Sequence, residues 1–251
     1  MPLEEREIET RHGKTFLVAS GDPASPPLVL LHGSCSNIFA WGGDVVEYAK
    51  HFRVYAIDIP GEPGRSAPHR APLRGPAMTE WLEEVLDELS ADRVSLIGNS
   101  FGGWIALRFA TAHPERVQRL ALLAPGGVAN ARASFILRAV LVSLLGKRGA
   151  ESTTRKVLEG AELPAEARSF MGLIAAHFRP RVEGLPLLTD AELARLSMPV
   201  LLVAGARDAI YPSTKVGARL QRLVPRVEVR LLESAGHVLL GLAPEIAEFL
   251  A

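Results

Sequence analysis

The chain has little of several things, and each shortage removes a class of function. One cysteine in 251 residues, Cys35, excludes an intramolecular disulfide. No cluster of cysteines and histidines has the spacing of a metal site, so no metal is expected. Neither sign of charge is in excess, with 28 basic and 28 acidic residues giving a formal net charge of +0. Such a balance gives no reason to expect nucleic acid or a polyanionic substrate as partner. The longest apolar run, Phe135 to Gly146, is broken by Arg138 and is too short to span a bilayer. Met1 to Thr10 is charged and carries no apolar stretch of the kind a signal peptide needs, so a cytoplasmic location is expected. Gly61, Gly64, Gly126 and Gly127 are not followed by Gly-Lys-Ser/Thr, so no phosphate loop and no nucleotide cofactor are expected.

What the chain does have is a 48% apolar composition with 22% charged residues, suited to a large buried core. The apolar segments alternate in type. Ile8 to Arg11 and Lys14 to Ala19 flank His12-Gly13 and predict a β-hairpin. Leu28–Leu31, Val54–Asp58, Val94–Ile97, Leu120–Ala124 and Pro199–Gly205 are short continuous apolar runs, as expected of strands buried on both faces. Val227 to Leu232 alternates at first, as an edge strand does. Helices are predicted over Trp41–His51, Thr79–Leu89, from Trp104 on, Thr214–Leu223 and Pro244–Leu250. Strands separated by helices indicate an α/β fold with a mostly parallel central sheet. The rhythm breaks from about Val128 to Thr189, where only helical segments are found. The expected organisation is therefore a core of 1–127 and 190–251, with 128–189 as a helical cap over one edge of the sheet.

One turn organises the rest. Val94-Ser95-Leu96-Ile97 leads into Gly98-Asn99-Ser100-Phe101-Gly102-Gly103, and an apolar helix follows. This is the G-x-S-x-G pattern, in which a serine sits on a sharp strand-to-helix turn beside free helix N–H groups. Side chains at Gly98 and Gly102 would crowd the turn. A serine becomes a nucleophile only beside a base that is itself oriented by a third group. Asp208 follows one strand and His237 follows the last, both at strand C-termini, where α/β sheets place their sites.

Four segments together resemble the α/β-hydrolase fold with a lid. They are Leu30-Leu31-His32-Gly33-Ser34, Asp58-Ile59-Pro60-Gly61 with Gly64-Arg65-Ser66, the serine turn, and Gly205-Ala206-Arg207-Asp208 with Gly236-His237. The order Ser100, Asp208, His237 is also that of the family. The resemblance implies that Ser100 attacks, His237 takes its proton and Asp208 holds His237. It implies an oxyanion hole from the backbone N–H groups of Ser34 and Phe101. It also implies that His32 and Asp58 organise loops rather than react. The other histidines, His12, His51, His69, His113 and His177, fall in turns or on helices and are expected to be solvated or structural.

The leading functional expectation is a carboxylic-ester hydrolase acting on small, largely uncharged esters, with no cofactor. Phe135, Ile136, Leu137, Val140, Leu141, Leu144 and Leu145 offer more apolar surface than one helix face needs. Phe135 and Val140, with Trp41 and Val238, are the candidate substrate-binding residues. Arg65 and Arg207 are the nearest basic residues in sequence able to clamp a carboxylate. An aspartate at position 100 would have implied a dehalogenase or epoxide hydrolase by resemblance; serine argues against both. A carbon–carbon bond hydrolase of vinylogous diketones is a second reading, since Gly98-Asn99-Ser100 resembles those enzymes. Against it, Val238 stands where they usually carry an aromatic residue. A third reading is a small-molecule receptor of the same fold with little turnover.

Overall fold

The computed structural model of the protein describes residues 3–143, 147–158, 161, 163–181 and 183–251. Leu144 and Leu145, two of the expected lid residues, lie outside them.

Eight strands form one sheet, in the order β1-β2-β4-β3-β5-β6-β7-β8. They are β1 (Glu4–Ile8), β2 (Thr15–Ser20), β3 (Pro27–Leu31), β4 (Arg53–Ile57), β5 (Val94–Asn99), β6 (Val117–Leu123), β7 (Val200–Gly205) and β8 (Val227–Leu232). The hairpin β1–β2 and the β2–β4 pair are antiparallel. Every other pairing is parallel. The β1 strand lies earlier than Ile8–Arg11 because Leu17 and Ala19 of β2 face the core, which fixes the register Glu4↔Ala19 to Ile8↔Thr15. Glu4 pairs with the buried Arg53 of β4, and Gly13, at φ +101°, completes the longer turn.

Alternation along each central strand splits the core into two layers. Val29 and Leu31 of β3, with Val200, Leu202 and Ala204 of β7, face α2 (Ala77–Glu88), α3 (Phe101–Ala112) and α8 (Ser213–Leu223). Leu28 and Leu30, with Leu201 and Val203, face α1 (Asp44–Tyr48) and α9 (Ala243–Leu250). Strands buried on both faces read as continuous apolar runs for this reason.

The helix expected over Trp41–His51 is shorter, Asp44–Tyr48, and a 3-10 turn precedes it. Asn37 caps a 3-10 turn, Ile38–Trp41, and α1 starts only after Gly42-Gly43, two residues that disfavour helix.

Between β6 and β7 lies the insertion, with α4 (Ala133–Ser143), α5 (Lys147–Val157) and α6 (Ala165–His177). It is helical, as the sequence predicts. A short helix, α7 (Asp190–Leu193), follows. Thr189 and Glu192 cap it reciprocally, a T-x-x-E signal present in the sequence but not read there. The insertion leaves and returns at one point: the N–H of Leu188 donates to the carbonyl of Gly127 at 2.9 Å. No described helix is long and apolar enough to cross a membrane.

Candidate active site

Strand order reverses on either side of β3, which has β4 on one flank and β5 on the other. Ligand sites in such sheets lie beyond the strand C-termini at that reversal. The loops after β3, β5, β7 and β8 meet there.

Ser100 stands between β5 and α3 at φ 50° and ψ −105°, a backbone state that a non-glycine residue rarely adopts. The flanking glycines permit the turn. A Cβ at Gly98 would lie 2.5 Å from the carbonyl oxygen of Gly102, and one at Gly102 would lie 2.1 Å from that of Leu31. The turn is tied to the sheet by the Ser100 N–H, which donates to Leu123 at 2.9 Å.

The Ser100 hydroxyl reaches Nε2 of His237 at 3.0 Å. On its other side His237 Nδ1 is 2.8 Å from Asp208 Oδ2. A buried carboxylate accepts only, so Nδ1–H donates to it and Nε2 is left to accept the serine proton. Asp208 Oδ1 accepts the N–H groups of Ile210 and Tyr211 at 2.7 and 3.0 Å. Each carboxylate oxygen therefore has a partner, and the ring is fixed in one tautomer. Asp208 and His237 are 2% and 6% exposed. Their loops approach so closely that a Cβ at Gly205 would sit 2.1 Å from the Gly236 carbonyl oxygen. The Tyr211 ring lies 5.9 Å from that of His237, and burial pushes its phenol up to about 12.

The loop after β3 covers the serine: a Cβ at Gly33 would stand 3.5 Å from that of Ser100. His32 is fully buried, donates Nδ1–H to the Gly33 carbonyl at 2.8 Å and accepts the Ile59 N–H at Nε2, 3.0 Å away. Burial lowers its pKa to about 4, so it is a neutral brace between two loops. Asp58 accepts the N–H groups of Ile38 and Arg65 through its two oxygens, and Gly64 packs directly on its carboxylate. Both residues organise loops. The Cys35 thiol is pushed up to about 11, first by burial and then by the charge of Glu62, so it stays protonated and unreactive.

Phe101 is the first residue of α3, where an N–H has no acceptor within the helix. Its ring stacks on Trp104 at 5.9 Å. Ser34 is held by its hydroxyl, which donates to Glu62 Oε2 at 3.2 Å.

The remaining expected residues divide. Trp41 is 3% exposed and lies in the core layer with Leu30, Tyr48 and Ile97, which makes it a core residue. Val238 and Phe135 are half-buried, and Val140 on α4 is 59% exposed. Arg65 pairs with Glu5 and covers the Phe16 ring, while Arg207 is exposed. His51, His69 and His177 are exposed, and His12 and His113 half-buried beside acidic residues. Among the described residues no group of three or more His, Cys, Asp or Glu is placed to hold a metal ion.

Three residues near this site were not picked out from the sequence. Arg132, between β6 and α4, donates Nε to the Asp208 carbonyl at 3.0 Å. Glu62 and Arg181, the latter from the segment after α6, sit beside the loop carrying Ser34. Glu62 was visible as the only acid in the Gly61-Glu62-Pro63-Gly64 loop. Arg181 could not be linked to it from 119 residues away.

The model of the alpha/beta hydrolase family matches residues 28–248. Carboxylesterase YbfK of Bacillus subtilis is 32% identical over a 256-residue alignment that covers 95% of this chain and 83% of the relative. The 2-hydroxymuconate semialdehyde hydrolase of a Pseudomonas strain is 32% identical over 253 residues, covering 92% and 87%. The crystal structure of naproxen esterase from Bacillus subtilis superposes with a TM-score of 0.85 at 28% identity, covering 99% of this chain and 89% of that one.

Proposed function

The chain belongs to the alpha/beta hydrolase family, and from that premise we propose that it is a serine esterase cleaving small, largely uncharged carboxylic esters through an acyl-enzyme on Ser100. The observation that carries this reading is the unbroken pair of hydrogen bonds from Ser100 to His237 and from His237 to Asp208, at 3.0 and 2.8 Å.

Ser100 Oγ adds to the ester carbonyl while His237 Nε2 takes its proton. Asp208, its oxygens filled with hydrogen bonds, holds the ring and stabilises the imidazolium. The backbone N–H groups of Ser34 and Phe101 receive the developing oxyanion. His237 then protonates the leaving alcohol. Water adds to the acyl-enzyme with His237 again as base, releasing the acid and restoring Ser100.

In this reading, 1–127 and 190–251 form the catalytic core and 128–189 the lid. Phe135 and Val140 from the lid, with Val238 beside the catalytic histidine, form the apolar wall of the substrate site. The preference for uncharged substrates is supported by the state of the cations. Arg65 is engaged with Glu5, Arg181 faces Glu62 and Glu183, and Arg207 is exposed to solvent. With one cysteine and no possible internal disulfide, we place the enzyme in the cytoplasm.

A panel of chromogenic esters tests the reading, run on the parent and on Ser100→Ala together with fluorophosphonate labelling. Label on Ser100 and loss of ester turnover in the variant are expected; label elsewhere with turnover intact would sink it. Similarity to the 2-hydroxymuconate semialdehyde hydrolase favours including ring-fission diketones in the panel. Faster turnover of these than of any ester would make the second reading, carbon–carbon bond hydrolysis, the better one.

A further inference from the structure

Glu62 is a buried carboxylate that the reaction does not use directly. It is 5% exposed. Its Oε2 accepts the Cys35 N–H at 2.7 Å and the Ser34 hydroxyl at 3.2 Å. Its Oε1 has no hydrogen-bond partner and faces Nε of Arg181 at 3.9 Å, itself a buried nitrogen without one. The Arg181 side chain is 8% exposed, donates Nη2 to the Ala71 carbonyl at 3.0 Å, and places its guanidinium 5.9 Å from the centre of the Phe101 ring. A charged pair of this kind is a poor device for stability alone, because removing two charges from water costs about as much as their attraction returns.

We infer that Glu62 is a positioning residue for the oxyanion hole, and that Arg181 is its countercharge. The inference rests on the serine-esterase reading and on Ser34 and Phe101 as the two donors. Ser34 is held from two sides, by its own hydroxyl and by the peptide N–H that follows it, and both hydrogen bonds end on one carboxylate oxygen. The residue that follows, Cys35, takes φ +56°, a left-handed state costly for a side chain other than glycine. The N–H of Cys35 is thus kept in an unfavourable conformation by an acceptor of full charge, the stronger kind of hydrogen bond. On the other side of Ser34, Gly33 rests against Ser100. The loop is therefore tied down on the Cys35 side before substrate arrives, and its spare N–H with it. Arg181 touches both halves of the hole, Glu62 beneath Ser34 and the ring of Phe101.

The test measures kcat and KM separately for Glu62→Ala, Glu62→Gln, Glu62→Asp and Arg181→Met, each corrected to the fraction of Ser100 that takes a fluorophosphonate. Deleting an oxyanion donor costs roughly 10²–10³ in kcat, so a misplaced donor in Glu62→Ala should cost about 10- to 100-fold, with KM within about twofold of the parent. Affinity for an alkylboronic acid, which forms a tetrahedral adduct, should fall by the same factor as kcat/KM. Glu62→Gln keeps an acceptor oxygen for Cys35 and should recover most of the lost kcat. Arg181→Met should lower kcat in the parent and do so less in the Glu62→Gln background, because no buried charge is then left unpaired. If Glu62→Ala does not fold, Glu62→Asp decides, since its carboxylate falls one methylene short: reduced kcat at unchanged KM supports the inference, and parent-like kcat overturns it. A Glu62→Ala enzyme with kcat per labelled serine within twofold of the parent, or with only KM raised, also overturns it. Failure of the esterase reading is distinguishable, because it would appear in the parent itself, as an unlabelled Ser100 or as diketone turnover faster than that of any ester.

Discussion

The C-terminal rim of the sheet and the helical insertion above it are built on opposite terms. At the rim the side chains of Asp208 and His32 are filled with hydrogen bonds and several glycines have no room for a side chain. Asp208 carries two backbone N–H groups and an imidazole, His32 bridges two loops, and added methyl groups at Gly98, Gly102 or Gly205 would meet backbone at 2.5 Å or less. On the insertion, Ile136, Leu137, Val140 and Leu141 of α4 and Leu173 of α6 stand 51–62% exposed. The rim is fixed by close approach of backbones and by hydrogen bonds, both of which are directional and leave little freedom. Exposed apolar side chains have no directional partners, and substitution among them is tolerated. In the proposed reaction the reacting groups come from the first region, and the second adds Arg181 beside Glu62.

That contrast is tested most severely at the triad. Asp208→Asn should fold as the parent does and lose about 10⁴-fold in kcat, because an amide donates where the imidazole N–H must. Near-parental kcat would show that another carboxylate holds His237. Next in size is a methyl group at the rim: Gly102→Ala should lower unfolding free energy by about 3 kcal/mol or more in urea titration, the upper end for forced overpacking. A loss under 1 kcal/mol would mean that the β3 loop yields more readily than its packing indicates.

Acid should act on the same region. The pKa of His32 is depressed from 6.5 to about 4, so between those values the unfolded chain binds a proton that the folded one refuses. Its contribution is complete above pH 6.5 and is lost as pH falls towards 4, by roughly 3 kcal/mol at most. Asp44, Asp58 and Glu62, raised by burial, act in the opposite direction in that window. The quantity to measure is therefore the stability difference between the parent and His32→Gln, which should narrow from pH 7 to pH 4. A constant difference would place the neutral-brace account in error.

The insertion should respond by degrees. Each acyl methylene buried is worth about 0.8 kcal/mol, so kcat/KM should climb about fourfold per carbon up to short or medium chains and then level. An emulsified long-chain ester as best substrate would show that the lid does not close the site. Smallest of all, Leu137→Ser on exposed α4 should change stability by less than about 0.5 kcal/mol and leave kcat within twofold on the shortest ester. A larger loss of kcat would move part of the chemistry into the insertion.

What could be read from the sequence follows the same division. Ser100, Asp208 and His237 were legible because each ends or follows an apolar run, and only a parallel sheet brings such points together. Gly98 and Gly102 were legible because a tight turn has few solutions. Trp41 was not, since an aromatic after a loop looks the same whether it faces substrate or the underside of the sheet, and here it packs beneath the sheet with Tyr48. The hairpin register was missed because β1 is nearly all charged, so its position is set by β2 and Arg53 rather than by its own pattern. Arg181 was illegible because its partner is brought to it only by the path of the insertion.

That path has one more consequence. Strands β6 and β7 are neighbours in the sheet, with Leu123 beside Val203, and Gly127 and Leu188 are joined by a single hydrogen bond. About sixty residues thus hang from a stem one peptide wide. The entropy of closing that loop is met by the sheet whatever its contents, and grows only slowly with its length. The insertion is in effect a cassette: a different roof can be spliced between the same two residues without displacing a strand, provided that it brings its own partner for Glu62.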